Sequence, residues 1–232
     1  MVQSETVERI LDAAEQLFAE QGFAETSLRL ITSKAGVNLA AVNYHFGSKE
    51  ALIQAVFARF LGPFCQGLER ELERRQRTVD AASTTLEELL ELLVEQMLSL
   101  KPRIGNDLSI FMRLLGLAFS QGQGHLRRYL EGMYGKVFRR YTALLDQAAP
   151  RLPPLELFWR MHFMLGAVAF SMSGIRALRS MAEADYGVQT STEQVMRLMV
   201  PFMAAGMRAD SALGEEMLPS RQHLQDRVGL AE

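Results

Sequence analysis

The chain has 232 residues, 48% of them hydrophobic, and a formal net charge of −2. That apolar share supports a sizeable core and excludes disorder over most of the length, while the near-neutral balance withholds the whole-chain basic signature of many nucleic-acid binders. The single cysteine, Cys65, excludes an intrachain disulfide and reads as a small buried hydrophobe.

The first expected element is an amphipathic helix from Ser4 to Gln21, with Val7, Ile10, Leu11, Ala14, Leu17 and Phe18 on one face. Ser4 is its expected N-cap and Gly22 its end. Glu5, Glu8 and Asp12 interrupt any run resembling a secretory signal. A second helix is expected from Ser27 to Gly36, with Leu28, Ile31 and Ala35 inward. Gly36 suits a left-handed turn, and a third helix runs from its cap Asn38 to Phe46. Two short helices about a glycine turn form a helix-turn-helix. Ser48 then caps a long helix to Gln76, with a kink or break expected at Gly62-Pro63.

A loop is expected from Thr78 to Thr84. Thr85 and Glu88 then form a capping box. Pro102 and Gly105 precede a helix at 106–120, and further helices are expected at 125–149, 155–182 and 191–207. Pro150, Pro153, Pro154 and Gly187 separate them, and Pro201 predicts a kink in the last. The run 161–175, broken by His162, is shorter than the ~20 residues of a membrane span. A cytoplasmic location is expected. The fold class is therefore all-α, with a three-helix head over 1–60, a helical body over 61–208 and a mobile tail over 209–232.

Residues 1–60 hold five Lys or Arg and seven Asp or Glu, yet the stretch 26–49 carries Arg29, Lys34 and Lys49 and no acid. The second helix of such a unit places its N-terminal part in the major groove. Here it offers Asn38, Leu39, Ala40, Asn43 and Tyr44. Asn43 suits a base edge or a phosphate, Leu39 and Ala40 a thymine methyl, and Tyr44 a phosphate oxygen. His45 fits a phosphate contact or a half-buried structural role equally well. Lys49 at a helix start, and Thr26, Ser27 and Arg29 at another, would clamp the backbone.

The stretch SLRLITSKAGVNLAAVNYHFGSKEAL resembles the DNA-binding segment of TetR-family transcriptional regulators, over about residues 5–60. The A-G-V turn, the Y-H-F close and the S-K-E-A-L start fall in order. Asn43 departs from the aromatic residue many members carry there. The resemblance implies an all-helical homodimer that binds a double-stranded operator, with two long helices per subunit forming a four-helix interface. It also implies a small-molecule effector that alters head spacing. The body, through SIFMRLLGLAFSQGQGHLRRYLEGMYGKVFRRY and ELFWRMHFMLGAVAFSMSGIRAL, resembles the PsrA-type, fatty-acid-responsive branch. This implies a repressor of fatty-acid degradation genes that also activates a stationary-phase sigma factor gene.

Read without that resemblance, the body has an apolar lining rich in flexible methionine. The candidate effector residues are Met97, Phe111, Met112, Arg113, Leu115, Phe119, Tyr134, Phe138, His162, Phe163 and Phe170. Arg113 or His162 would meet a carboxylate headgroup. Ordinary bundle core, with a salt bridge or solvent face for the polar pair, is the competing account. Helix 155–182 would be about 42 Å long. Its small residues Gly166, Ala169, Ser173 and Gly174, with Val195, Leu198, Met199 and Met203 of the last helix, make the candidate dimer surface, packing within one subunit being the alternative.

Other effectors in view are an acyl-CoA and an amphipathic drug. An enzyme with a helical head is a distant alternative, since the four histidines are scattered and no metal spacing, phosphate loop or nucleophile motif is present. No cofactor or metal is expected.

Overall fold

The computed structural model describes residues 2–78, 84–100, 108–149 and 152–211. The expected breaks at Pro102, Gly105 and Pro150, most of the loop after Thr78, and the tail beyond Ser211 lie outside them. Among the described residues there are ten α-helices and no strand. They are α1 (Val2–Glu25), α2 (Leu28–Ala35), α3 (Leu39–Phe46), α4 (Lys49–Thr78), α5 (Leu86–Ser99), α6 (Leu108–Ser120), α7 (Gly124–Ala148), α8 (Pro154–Ser173), α9 (Ile175–Tyr186) and α10 (Thr192–Arg208).

α1 begins at Val2, so Ser4 lies inside the helix and not at its cap. Gly22 interrupts it with φ 85° and ψ 168°, a backbone open to glycine and strained for other residues. Its apolar face meets α2, α4 and α6. Phe18, Phe23 and Phe57 form a tilted aromatic row there, with centroids 5.3 and 6.3 Å apart.

Lys49–Thr78 is one helix with Pro63 inside it, and Pro201 sits in the same way within α10. Dense packing holds α4 across the hydrogen bond that Pro63 cannot make: Leu61, Cys65 and Leu68 are all buried. Part of α4 is long and apolar enough to cross a bilayer by length and composition, but half of that stretch is buried within the protein. Cys65 is 3% exposed, and burial pushes its thiol pKa up to about 12.

The expected single helix 155–182 is two helices bent by 74° between Ser173 and Ile175. Gly174 takes φ −103° and ψ 12°, and the Ser173 hydroxyl donates to the Phe170 carbonyl at 3.0 Å. A glycine inside a helix costs about 1 kcal/mol against alanine, and a serine bonding back to the preceding turn bends helices. The apolar period runs through the bend, which is why the sequence reads as continuous.

α6 packs against α8 and α1, and α10 against α5 and α8. Arg160 fastens the last pair. Its guanidinium donates to Glu156 Oε1 at 2.5 Å and to the carbonyls of Gly206, Met207, Ala209 and Asp210 at 2.6–3.1 Å. These include the unpaired carbonyls at the end of α10. Arg208 of α10 also pairs with Glu87 of α5.

Candidate nucleic-acid interface

Four local devices shape the surface around α2 and α3. Ser27 caps α2, its Oγ accepting from the Leu30 N–H at 3.2 Å. Gly36 ends α2 in the left-handed region at φ 64°, while its own N–H and that of Val37 donate to Ser33 and Thr32. Asn38 Oδ1 accepts from the Ala41 N–H at 2.8 Å and starts α3. Ser48 Oγ accepts from Ala51 at 3.0 Å and starts α4. Such caps contribute about 1 kcal/mol each. Beneath them Ile31, Thr32, Ala35 and Val42 are buried and fix the angle of the two helices.

The outward face is Ser27, Arg29, Leu30, Ser33 and Lys34 on the α2 side and Asn38, Leu39, Ala40, Asn43 and Tyr44 on the α3 side, all exposed. Tyr44 is 75% exposed, with its ring edge-on to His45 at 5.0 Å. His45 is half-buried and also lies 6.4 Å from Phe46. Lys49 is half-buried at the start of α4, and its Nζ donates to the Ala24 carbonyl at 3.2 Å.

Two expected contacts are otherwise engaged. Thr26 is fully buried, and its hydroxyl donates to the carbonyls of Gly22 at 2.8 Å and Leu17 at 3.2 Å. It fastens the corner between α1 and α2 and is withdrawn from solvent. Asn38 commits its side-chain oxygen to the α3 cap.

Three of the acids of α1 are gathered by one cation of α4. Arg59 of α4 binds Asp12 at 2.6 Å, Glu8 at 2.8 Å and Glu15 at 3.3 Å, with its own side chain 7% exposed. Arg29, Lys34 and Lys49 carry positive charge at the α2–α3 surface, where the Glu20 carboxylate lies 4.0 Å from Lys34. No local pattern marks Arg59 as the partner, because the pairs span 44 to 51 positions.

The candidate effector residues divide. Phe111, Met112 and Tyr134 are buried, while Met97, Leu115 and His162 are half-buried. Phe111 stacks on Phe60 at 4.7 Å and meets Phe57 edge-on at 5.9 Å, so it joins α6 to α4. Tyr134 is held with its phenol pKa raised, chiefly by burial. Arg113, Phe119, Phe138, Phe163 and Phe170 are exposed. His162 Nδ1 lies 2.7 Å from the Phe158 carbonyl, and its ring is 6.3 Å from Phe119. Six of the eleven thus lie in or beside the packed core and five face solvent.

The candidate dimer residues divide too. Gly166 and Leu198 are exposed, Ala169, Ser173, Gly174, Val195 and Met199 are half-buried, and Met203 is buried inside the subunit. Further exposed apolar side chains are Leu155, Trp159, Phe163 and Phe170 of α8 and, one turn beyond Leu198, Phe202 of α10. Trp159 stacks on Phe163 at 6.0 Å. Their four- and seven-residue spacing is present in the sequence, where it marks one face of each helix.

Residues 10–56 match the family model described as bacterial regulatory proteins, tetR family, and residues 91–206 match the tetracyclin repressor-like C-terminal domain. A probable HTH-type transcriptional regulator of Bacillus subtilis, YttP, is 32% identical over 90 residues, 39% of this chain and 41% of that protein. The chain thus spans about two fifths of that curated relative. Among solved structures, HlyIIR, a hemolysin II transcriptional regulator, superposes with a TM-score of 0.53 at 20% identity, over 90% of this chain and 99% of the other. The fatty acid degradation regulator FadR from Bacillus halodurans superposes with a TM-score of 0.50 at 14% identity, over 88% and 97%. At such identities the two structures speak to the fold.

Proposed function

Because the chain belongs to the TetR family of bacterial regulatory proteins, we propose that it is a homodimeric, effector-responsive transcriptional repressor. Its head, residues 1–60, binds a palindromic operator. Its body, residues 61–208, takes a long-chain fatty acid and releases the DNA, so that fatty-acid degradation genes are expressed. The protein works in the cytoplasm, and a regulator's activity, with no chemical turnover, is its role.

One observation carries the DNA-binding part. α3 presents Leu39, Ala40, Asn43 and Tyr44 to solvent while Val42, on the same helix, is buried and holds it rigid. A capped helix with an exposed, acid-free face suits the major groove, and small side chains allow close approach. Arg29, Tyr44 and Lys49 supply phosphate contacts at its edges.

The dimer reading is supported by exposed apolar side chains on α8 and α10. Phe163, Phe170, Leu198 and Phe202 are each about two thirds exposed, at 66, 72, 67 and 69%. Pairing with a second copy removes them from water and sets the heads roughly 34–36 Å apart, one DNA turn. The fatty-acid reading is supported by the apolar character of α6 and α8 and by the fold likeness to FadR. A ligand acts only through its differential affinity for the two head spacings.

DNase footprinting of genomic fragments, with and without oleate, tests the whole reading. A protected palindrome that oleate exposes supports it, and the absence of any protected site overturns it. A footprint indifferent to oleate removes the fatty-acid part. Mass spectrometry of ligand extracted from the purified protein then names the chemical class.

A further inference from the structure

α6 ends against the head at a defined point. The Gln121 N–H donates to the Leu117 carbonyl at 2.9 Å, so its backbone continues the helical pattern. Its side chain reaches the break in α1. There Gly22 leaves the helical region, and the Phe23 N–H donates across to Gln121 Oε1 at 3.0 Å, over 98 positions of sequence. A methyl group at position 22 would stand 2.7 Å from Gln121 Nε2, so the amide would have to shift from its present place to make room for one.

From this notch the links to α2 are short. Phe23 is 1% exposed and packs between Phe18 and Phe57. The Gly22 carbonyl accepts from Thr26, whose neighbour Ser27 caps α2. On its other side α6 packs against α8. We infer that Gln121 is a positioning residue: its amide locks the α1–α2 corner to the end of α6 and so sets the orientation of the head on the body. The lock is a neutral hydrogen bond at an exposed side chain, weak enough to be released when α6 shifts. Released, the head swings while its own core stays intact. Coupling of this kind needs a discrete contact that two states bias differently, and the Phe23–Gln121 hydrogen bond is the discrete contact here.

The inference rests on the proposed two-headed DNA-binding regulator, and the test separates the two. The full-length protein is compared with Gln121→Leu, which removes the acceptor at similar size, and Gln121→Glu, which keeps an oxygen at the same reach. Amide exchange is read at Phe23. Affinity is read for a palindromic duplex selected from a random pool by the wild-type protein, and for the same duplex with one half scrambled. In Gln121→Leu, Phe23 exchange rises and palindrome affinity falls, each about tenfold. Exchange in the cores of α4 and α6, and affinity for the half-scrambled duplex, stay at wild-type values. Gln121→Glu restores both. Unchanged Phe23 exchange, equal losses on the two duplexes, or a Gln121→Glu variant that behaves like Gln121→Leu overturns the inference. A wild-type protein that selects no duplex overturns the DNA-binding reading itself, whatever the exchange at Phe23.

Discussion

Lys49 Nζ donates to the Ala24 carbonyl at 3.2 Å and thereby ties the first turn of α4 to the last turn of α1. An ammonium has three donors, so the same group can hold this tie and face a phosphate at the α4 N-terminus. Lys49→Ala is expected to weaken binding to all DNA sequences. It should also lower the slope of log affinity against log salt by about 1, measured by titrations at several salt concentrations. Weaker binding with an unchanged slope would leave only the tie to Ala24.

Tyr44 and Asn43 separate affinity from sequence preference. Both are exposed, so Tyr44→Phe and Asn43→Ala should each alter folding stability by less than about 0.5 kcal/mol. Tyr44→Phe is expected to weaken all duplexes alike. Asn43→Ala should change which duplexes a random pool yields, by about 1–3 kcal/mol at the affected base pair. An identical selected sequence for wild type and Asn43→Ala would remove Asn43 from base recognition.

The pH dependence centres on Glu15. Burial raises its carboxyl pKa from 4.5 to about 7, against the opposing attraction of Arg59 and with a further push from Asp12. The folded value lies above the unfolded one, so this contribution is fully present below pH 4.5 and is lost as pH rises through 7. Urea unfolding across that range should show stability falling with pH, by at most about 1.4 kcal/mol per unit from this one group. Glu15→Gln should flatten the trend. Glu71 acts in a separate window: its hydrogen bond to Arg74 lowers its pKa to about 2, so its contribution is present above 4.5 and lost as pH falls.

Arg160→Met should cost about 3–5 kcal/mol in chemical denaturation. It removes the ion pair to Glu156, 7% exposed, and strips a donor from four carbonyls at and beyond the end of α10. A loss below 1 kcal/mol would show that water replaces the guanidinium there.

Phe163→Glu combined with Phe170→Glu is expected to give a folded monomer by analytical ultracentrifugation. Both side chains are exposed in the isolated subunit, so the intrasubunit core should survive. A variant that remains dimeric places the subunit contact elsewhere.

The head was legible because its instructions are local. Ser27, Gly36, Asn38 and Ser48 each act within four residues of themselves, and the structure finds all of them at the ends of helices. The same holds for the capping box of Thr85 and Glu88. The bend at Gly174 was hidden because apolar residues keep their period on both sides of it. Phe163 and Phe170 show a shared helix face in the sequence, and periodicity is silent on whether a helix, a ligand or a second subunit covers it. Arg59 with the acids of α1, and Gln121 with Phe23, were out of reach for a different reason: each joins residues more than forty positions apart.

Cys65 offers a practical consequence. It is the sole cysteine of the chain, shielded in α4, and its thiolate is scarce at neutral pH. Maleimide reagents will therefore pass it by in the native protein. A cysteine introduced at exposed Ser33 becomes the only reactive thiol of the chain, so a spin label or fluorophore placed there reports from the α2 surface alone.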